Sequence, residues 1–348
     1  MAKDEYLSEM GLFKNHQSLW QRSYELLRSQ PKRVGIKSAG YSVPPNVRHN
    51  DDPIFEQIIK DKNAQGFAEA DLFTGMKDRR YLKDGELLET LMIIAASQAI
   101  HRANMEPKDI DRLYGYASVP EFYTPNSLYM VHRWLGLSEY ALVIPINNEF
   151  STFLLGVMEA CNAIIAGSSR RALVVCGTNW TKFMDYTQGH ALSVGDGAGA
   201  AVVSDGADFV LLDYATQTLS NQYGAMTMQA RDSFQPTYKI TEDEGVHSFQ
   251  VSAMQGIPDM VNALLKRHGL TGNDVALITH QASRVLMDHW AEHIQPKEYF
   301  NTLEQFGNLT VASYPVTLAY HYPTIMSEYL VLAAVGVGYH QTALLFRR

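Results

Sequence analysis

The chain lacks several features that would assign its class at once. Of its 348 residues only two are cysteines, Cys161 and Cys176. Both lie in apolar runs, CNAII and ALVVC, so they read as buried thiols in a reducing compartment rather than a disulfide framework. They form no metal-binding motif either. No Lys/Arg block stands out among 29 basic and 37 acidic residues, and the net charge of -8 argues against a nucleic-acid partner. The mild acidity reads as a solubility feature. An acidic carrier protein as partner would require a local basic patch. No apolar run reaches the roughly 18 residues that a bilayer span needs. The opening MAKDEYLSEMGLFKNH is charged and has no apolar signal core. A soluble, cytoplasmic protein without membrane partners is expected.

What the chain does have is core-forming material. Its 46% hydrophobic content suits two domains or one large duplicated unit. Residues 1–32 read as a helical arm, with Leu19, Trp20, Tyr24 and Leu27 near one face and Pro31 ending it. The arm packs on its own domain or meets a partner. From residue 33, strand and helix patterns alternate. Apolar strands VGIKSAGYSV, RLYGYASV, ALVIPI, RALVVCGTN and GAGAAVVSD are interleaved with helical patterns over 87–105, 124–136 and 153–167. A second half opens at FVLLDYATQT and repeats the plan to the end of the chain. The expected organisation is therefore an arm (1–32), a first half (33–206) and a second half (207–348). The class is α/β, with sheets covered on both faces.

The stretch PINNEFSTF (145–153) raises the chemical question. A strand-to-helix corner of this kind holds a cysteine or serine nucleophile in many acyl-transfer enzymes, yet it offers Asn147, Asn148, Glu149, Phe150 and Ser151. VGDGAGAAVV (194–203) is glycine-rich, but it spells G-x-G-x-G and runs into a strand-like AAVV. A tight turn braced by Asp196 fits it better than a dinucleotide fingerprint. His280 follows the apolar strand VALIT, where open α/β folds bind ligands; a structural imidazole is the other reading. Asn308 sits in a loop beside Gly307, as an amide donor to a carbonyl oxygen or as a turn residue. His289 and His293 in HWAEH share a helix face and match a zinc pattern with Glu292 as base, but no third ligand is evident. An outward polar helix face explains them as well.

Taken together, TGMKDRR (74–80), SVPEFYTPNSLYMVHRWLGL, VGDGAGAAVV, THQAS (279–283), FGNLTVASYP and VGVGYHQTALL resemble, in order, the motifs of the ketoacyl-acyl-carrier-protein synthase III family of the thiolase superfamily. The resemblance implies a five-layer αβαβα fold of two duplicated halves, usually a homodimer. It implies acyl transfer from coenzyme A (CoA) or acyl-carrier-protein thioesters, either in condensation with a malonyl thioester or to another nucleophile. CoA or phosphopantetheine thioesters would be substrates, with no further cofactor and no metal. The family's Cys–His–Asn triad places its histidine on His280 and its asparagine on Asn308, the pair that polarises a thioester carbonyl. Its cysteine falls on Phe150, which cannot attack a carbonyl. Ser151 matches the serine after that cysteine. Arg79 in TGMKDRR and Ser283 in THQAS are the matching substrate-side positions. The tryptophan often found before the TGMKDRR-like motif is replaced by ADLF.

Glu149, beside the lost nucleophile, is expected either as a paired or protonated acid–base group or turned away to solvent or a dimer interface. The leading expectation is an acyltransferase that uses His280, Asn308 and Glu149 without an acyl-enzyme, in a specialised fatty-acid or polyketide type of pathway. Malonyl-thioester decarboxylation is a variant. The alternative is a silenced subunit, with Phe150 filling the tunnel, in a heterodimer with an intact ketosynthase.

Overall fold

The computed structural model describes residues 33–60, 68–122, 124–229, 237–240 and 253–348. The expected N-terminal arm lies outside these residues.

One ten-stranded sheet organises the chain in the order β12-β11-β13-β14-β8-β1-β7-β6-β4-β5. Its first-half members are β1 (Gly35–Ser42), β4 (Arg112–Ser118), β5 (Leu142–Pro145), β6 (Arg171–Thr178) and β7 (Gly197–Ser204). The second half supplies β8 (Phe209–Thr218), β11 (Val275–Thr279), β12 (Glu298–Tyr299), β13 (Tyr329–Val335) and β14 (His340–Arg347). Two short ribbons stand apart: β2 (Val47–His49) with β3 (Asp78–Arg80), and β9 (Met226–Gln229) with β10 (Thr237–Ile240). β1 and β8 meet antiparallel over Gly35–Val210 and Ile36–Phe209. Outward from that seam both halves run antiparallel, antiparallel, parallel, parallel. The duplication expected from the alternating pattern is thus a topological repeat.

The helices repeat in step. α1 (Glu69–Leu72) is a single turn. α2 (Leu88–Arg102), α3 (Ser127–Leu135) and α4 (Thr152–Ile165) belong to the first half. α5 (Gln255–Arg267), α6 (Arg284–Ile294) and α8 (Ser313–His321) are their counterparts, with the short α7 (Leu303–Phe306) inserted. α2 buries Leu88, Leu91, Met92, Ala95, Ala96 and Ala99, a three-to-four-residue spacing that lays one face on the sheet. Asn126 caps α3 by accepting from the Leu128 N–H, and Gly136 ends it at φ 69°. Pro258 lies inside α5, near its N-terminal end.

Burial divides these elements into layers. One core joins α2 and α3 to the sheet's first half. Another joins α5 and α6 to the second half. Between them, α4 and α8 are largely buried against both halves, which gives the five-layer αβαβα stack. Cys161 and Cys176 are free thiols inside this central core, and burial pushes both thiol pKa values up. The G-x-G-x-G segment opens the buried strand β7 and precedes no helix, which removes the dinucleotide reading. Among the described residues, no helix is long and apolar enough to cross a membrane.

Candidate active site

Two strand-to-helix corners, one from each half, face each other. β5 passes through a 3-10 turn, Glu149–Ser151, into α4. In the other half a 3-10 turn, Thr310–Ala312, leads into α8. Each turn begins on a non-glycine residue in the left-handed region, Glu149 at φ 39° and Thr310 at φ 44°. Such a backbone costs on the order of 1 kcal/mol or more and persists only where the surroundings impose it. The Tyr314 hydroxyl, on α8, donates to the Phe150 carbonyl and ties the corners together. Two helix N-termini therefore converge on one place, where their dipoles favour negative charge.

A cavity of about 70 Å³ opens there, and its wall is mostly apolar. His280, Asn308 and Phe150 all line it. The Phe150 ring lies flat on the His280 imidazole, with centroids 4.7 Å apart and planes within 9°. Trp180 also packs against Phe150, with ring centroids 5.5 Å apart. His280 stands at the end of β11, its backbone N–H bound to the Ala333 carbonyl at 2.9 Å. It is almost wholly buried and its Nδ1 has no partner among the described residues. Burial drives its pKa down to about 4, against the opposing effect of a hydrogen bond to the Thr310 backbone. The ring is therefore neutral at pH 7. Asn308 is fixed by its carbonyl side: Oδ1 accepts from the Thr310 N–H at 2.9 Å and the Ser313 hydroxyl at 3.5 Å. That leaves its amide N–H group as the donor available to the cavity.

The other expected site residues are placed differently. Glu149 does not line the cavity. Its backbone conformation turns the side chain onto β4, where Oε1 accepts from Tyr116 at 3.1 Å and Oε2 from Ser118 at 3.0 Å. Burial raises its pKa, although those two hydroxyls pull the other way. Ser118 also accepts from the Trp180 indole at 2.6 Å, so Glu149 props a cavity wall from behind. Glu149 therefore stands outside the cavity that His280 and Asn308 line. Ser151 is fully buried and donates to the His340 carbonyl at 3.3 Å, away from the cavity. Ser283 is spent as the N-cap of α6, accepting from the Leu286 N–H at 3.3 Å. Arg79 is buried and donates to the Leu192 carbonyl at 2.6 Å and to the Asn50 side chain. Burial lowers its pKa to about 10, opposed by the Asp78 and Tyr186 charges. None of these three side chains lines the cavity.

Asp196 braces neighbouring segments rather than its own turn. It accepts from the Leu82 N–H at 2.8 Å and the Thr181 N–H at 3.1 Å, and burial raises its pKa to about 6 against these bonds. His289 and His293 stack with centroids 4.0 Å apart, and His293 Nδ1 bonds the His289 carbonyl. Among the described residues no cluster of three or more His, Cys, Asp or Glu side chains could hold a metal ion, so the zinc pattern finds no third ligand.

A second histidine in the cavity wall was not legible in the sequence. His190 is buried, lines the cavity and binds Glu69 through Nδ1 at 2.8 Å. The partners are 121 residues apart, so no local spacing links them.

Residues 144–219 match the family model of 3-oxoacyl-[acyl-carrier-protein (ACP)] synthase III, and residues 265–348 match that of its C-terminal part. The beta-ketoacyl-[acyl-carrier-protein] synthase III of Koribacter versatilis is 26% identical over 338 residues, covering 91% of this chain and 98% of the relative. That of Brucella melitensis is 27% identical over 332 residues, covering 90% and 99%. The crystal structure of 3-oxoacyl-[acyl-carrier-protein] synthase III from Aquifex aeolicus superposes with a TM-score of 0.79 at 22% identity, covering 90% of this chain and all of that one. The structural likeness establishes the fold. The matched segments and the near full-length relatives show that this chain is similar to ketoacyl-acyl-carrier-protein synthase III over about nine-tenths of its length.

Proposed function

We propose that this chain is an acyl-thioester-processing enzyme of the synthase III type that works without a cysteine acyl-enzyme. The observation that carries this reading is the shared cavity of His280, Asn308 and Phe150, with the aromatic ring lying flat on the imidazole. The Asn308 amide supplies a donor for a thioester oxygen at the N-termini of α4 and α8, beside the neutral His280 ring and in an otherwise apolar wall. That arrangement suits charge developing on a carbonyl or enolate oxygen. Phe150 stands where the family resemblance puts the nucleophile, and the described thiols are both in the core. The acyl group therefore passes directly from CoA or an acyl carrier protein to an acceptor. Decarboxylation of a malonyl thioester is the variant that needs no acceptor. A cytoplasmic setting and a specialised fatty-acid or polyketide type of pathway suit this chemistry, with the chain acting as a homodimer or beside a related ketosynthase.

A second reading draws on the same ring. Phe150 covers one face of His280, and this occlusion would suit a silenced subunit paired with an intact ketosynthase.

The two separate in one assay. Purified protein is incubated with acyl-CoAs from acetyl to dodecanoyl and with malonyl-CoA, while free CoA thiol and intact protein mass are followed. The enzyme reading expects CoA release without an acyl adduct, lowered by about 100-fold in His280→Ala and Asn308→Ala. Phe150→Cys, with a thiol beside His280 and a helix N-terminus, is expected to acquire the adduct. A wild-type adduct, or release that ignores both substitutions, would refute the enzyme reading. Absence of any release favours the silent subunit.

A further inference from the structure

The cavity wall holds two histidines in different settings. His280 has a low proton affinity and an aromatic ring over one face. His190, by contrast, is joined to a carboxylate: Glu69 Oε1 lies 2.8 Å from its Nδ1, and Glu69 Oε2 accepts from the Gly189 N–H at 3.1 Å. Burial works against the Glu69 charge, but these contacts outweigh it and hold its pKa below the usual value. The pair is built into the fold. α1, which carries Glu69, rests on the turn Gly189–Leu192 so closely that a Cβ at Gly189 would lie 2.4 Å from the Ala70 nitrogen. From that turn the chain runs straight to the other polar cavity group. Ser193 N–H bonds the His190 carbonyl at 3.1 Å, and Asn308 N–H bonds the Ser193 carbonyl at 2.7 Å. His190 and Asn308 thus sit on neighbouring, hydrogen-bonded segments of one wall. Glu149 faces β4, and Cys161 and Cys176 lie in the central core, so these groups do not compete for a role in the cavity.

We propose that His190, oriented by Glu69, is the general base that activates a hydroxyl acceptor, water included, against the thioester bound at Asn308 and His280. This rests on the thioester reading above. The acceptor oxygen bonds to the carbonyl carbon while its proton moves to His190 Nε2. The carbon–sulfur bond then breaks, and His190 returns that proton to the departing thiolate. An ester or acid and a free thiol result, and no oxidant or further reactant is required. A carboxylate on Nδ1 sets the tautomer with Nε2 as acceptor and stabilises the imidazolium that forms. Glu69 acts here as a positioning residue.

The test is steady-state CoA release from the acyl-CoA series, in buffer alone and with added methanol. His190→Gln is expected to lower kcat by about 100-fold with KM within about threefold and an unchanged melting temperature. Glu69→Gln, which keeps the side-chain shape, is expected to lower kcat by about tenfold with the same KM. Methanol should give the methyl ester with wild type and little with either variant. A folded His190→Gln within about threefold of wild-type kcat overturns the base while leaving the thioester reading intact. A wild type that releases no CoA overturns both. If neither variant folds, the pair is a structural strut and the proposal is wrong.

Discussion

A buried imidazole with a depressed pKa links the stability of the fold to pH in a definite direction. His280 takes up a proton near pH 6.5 when unfolded but only near 4 when folded, because burial disfavours its cation. The native state is therefore favoured above pH 6.5, and that advantage is lost as pH falls through the folded value. Asp196 works the other way. Its folded pKa of about 6 exceeds the usual 3.8, so its contribution is present at low pH and is lost as pH rises through about 6. The two slopes oppose each other between pH 4 and 6. Removing His280 should leave the Asp196 slope exposed. In His280→Gln the stability at pH 7 relative to pH 4.5 is expected to fall by about 2 kcal/mol compared with wild type, measured by urea unfolding at both values. An unchanged difference would mean that the ring is not held neutral. At this scale the sequence was informative about position and poor about direction. Motif order put His280, Asn308 and Phe150 in one place, because each stands at the end of a strand or beside a glycine turn. It could not show that Glu149 turns to β4, because the φ of 39° is imposed by the facing corner. It could not show Glu69 with His190 either, since only the folded chain brings them together.

Elements with strong periodicity were legible to within a few residues, including α2, α4, β6 and β7. The short ribbons and the edge strand β12 were not, because two to four residues carry too little pattern to read. The glycines of β7 illustrate a packing reason that sequence alone leaves open. A Cβ on Gly199 would lie 2.7 Å from the Pro315 Cβ and 2.8 Å from both the Pro315 carbonyl carbon and the Val316 nitrogen. Two of these are backbone atoms of α8, so the helix as a whole would have to move off the sheet. α8 begins five residues after Asn308, and its displacement would disturb the amide in the cavity. Gly199→Ala is therefore expected to cost about 1–3 kcal/mol in urea unfolding and to reduce CoA release as well. Wild-type values for both would show that the strand and helix approach less closely than this.

At the scale of the whole molecule, the repeat raises the question of whether each half is a folding unit. Their topology suggests independence, and the sequence divides them at residues 206 and 207. Packing points to one unit. α4 arises in the first half and α8 in the second, yet both lie in the layer between the two halves of the sheet, with Phe153, Leu154, Val157 and Leu318 fully buried in one core. Each such side chain contributes roughly 1.5–3 kcal/mol by burial, as an upper estimate. Separating the halves would strip these residues from both halves of the sheet at once. We therefore expect a single cooperative transition despite the duplicated architecture. Trp180 reports on the first half, with its indole bound to Ser118, and Trp290 on the second, bonded to the Ala253 carbonyl at 2.9 Å. With fluorotryptophan incorporated, their fluorine NMR signals should disappear at the same urea concentration. Midpoints separated beyond error would mean that the central helices cohere more strongly with their own half than with each other, and the halves would then be two domains in the thermodynamic sense.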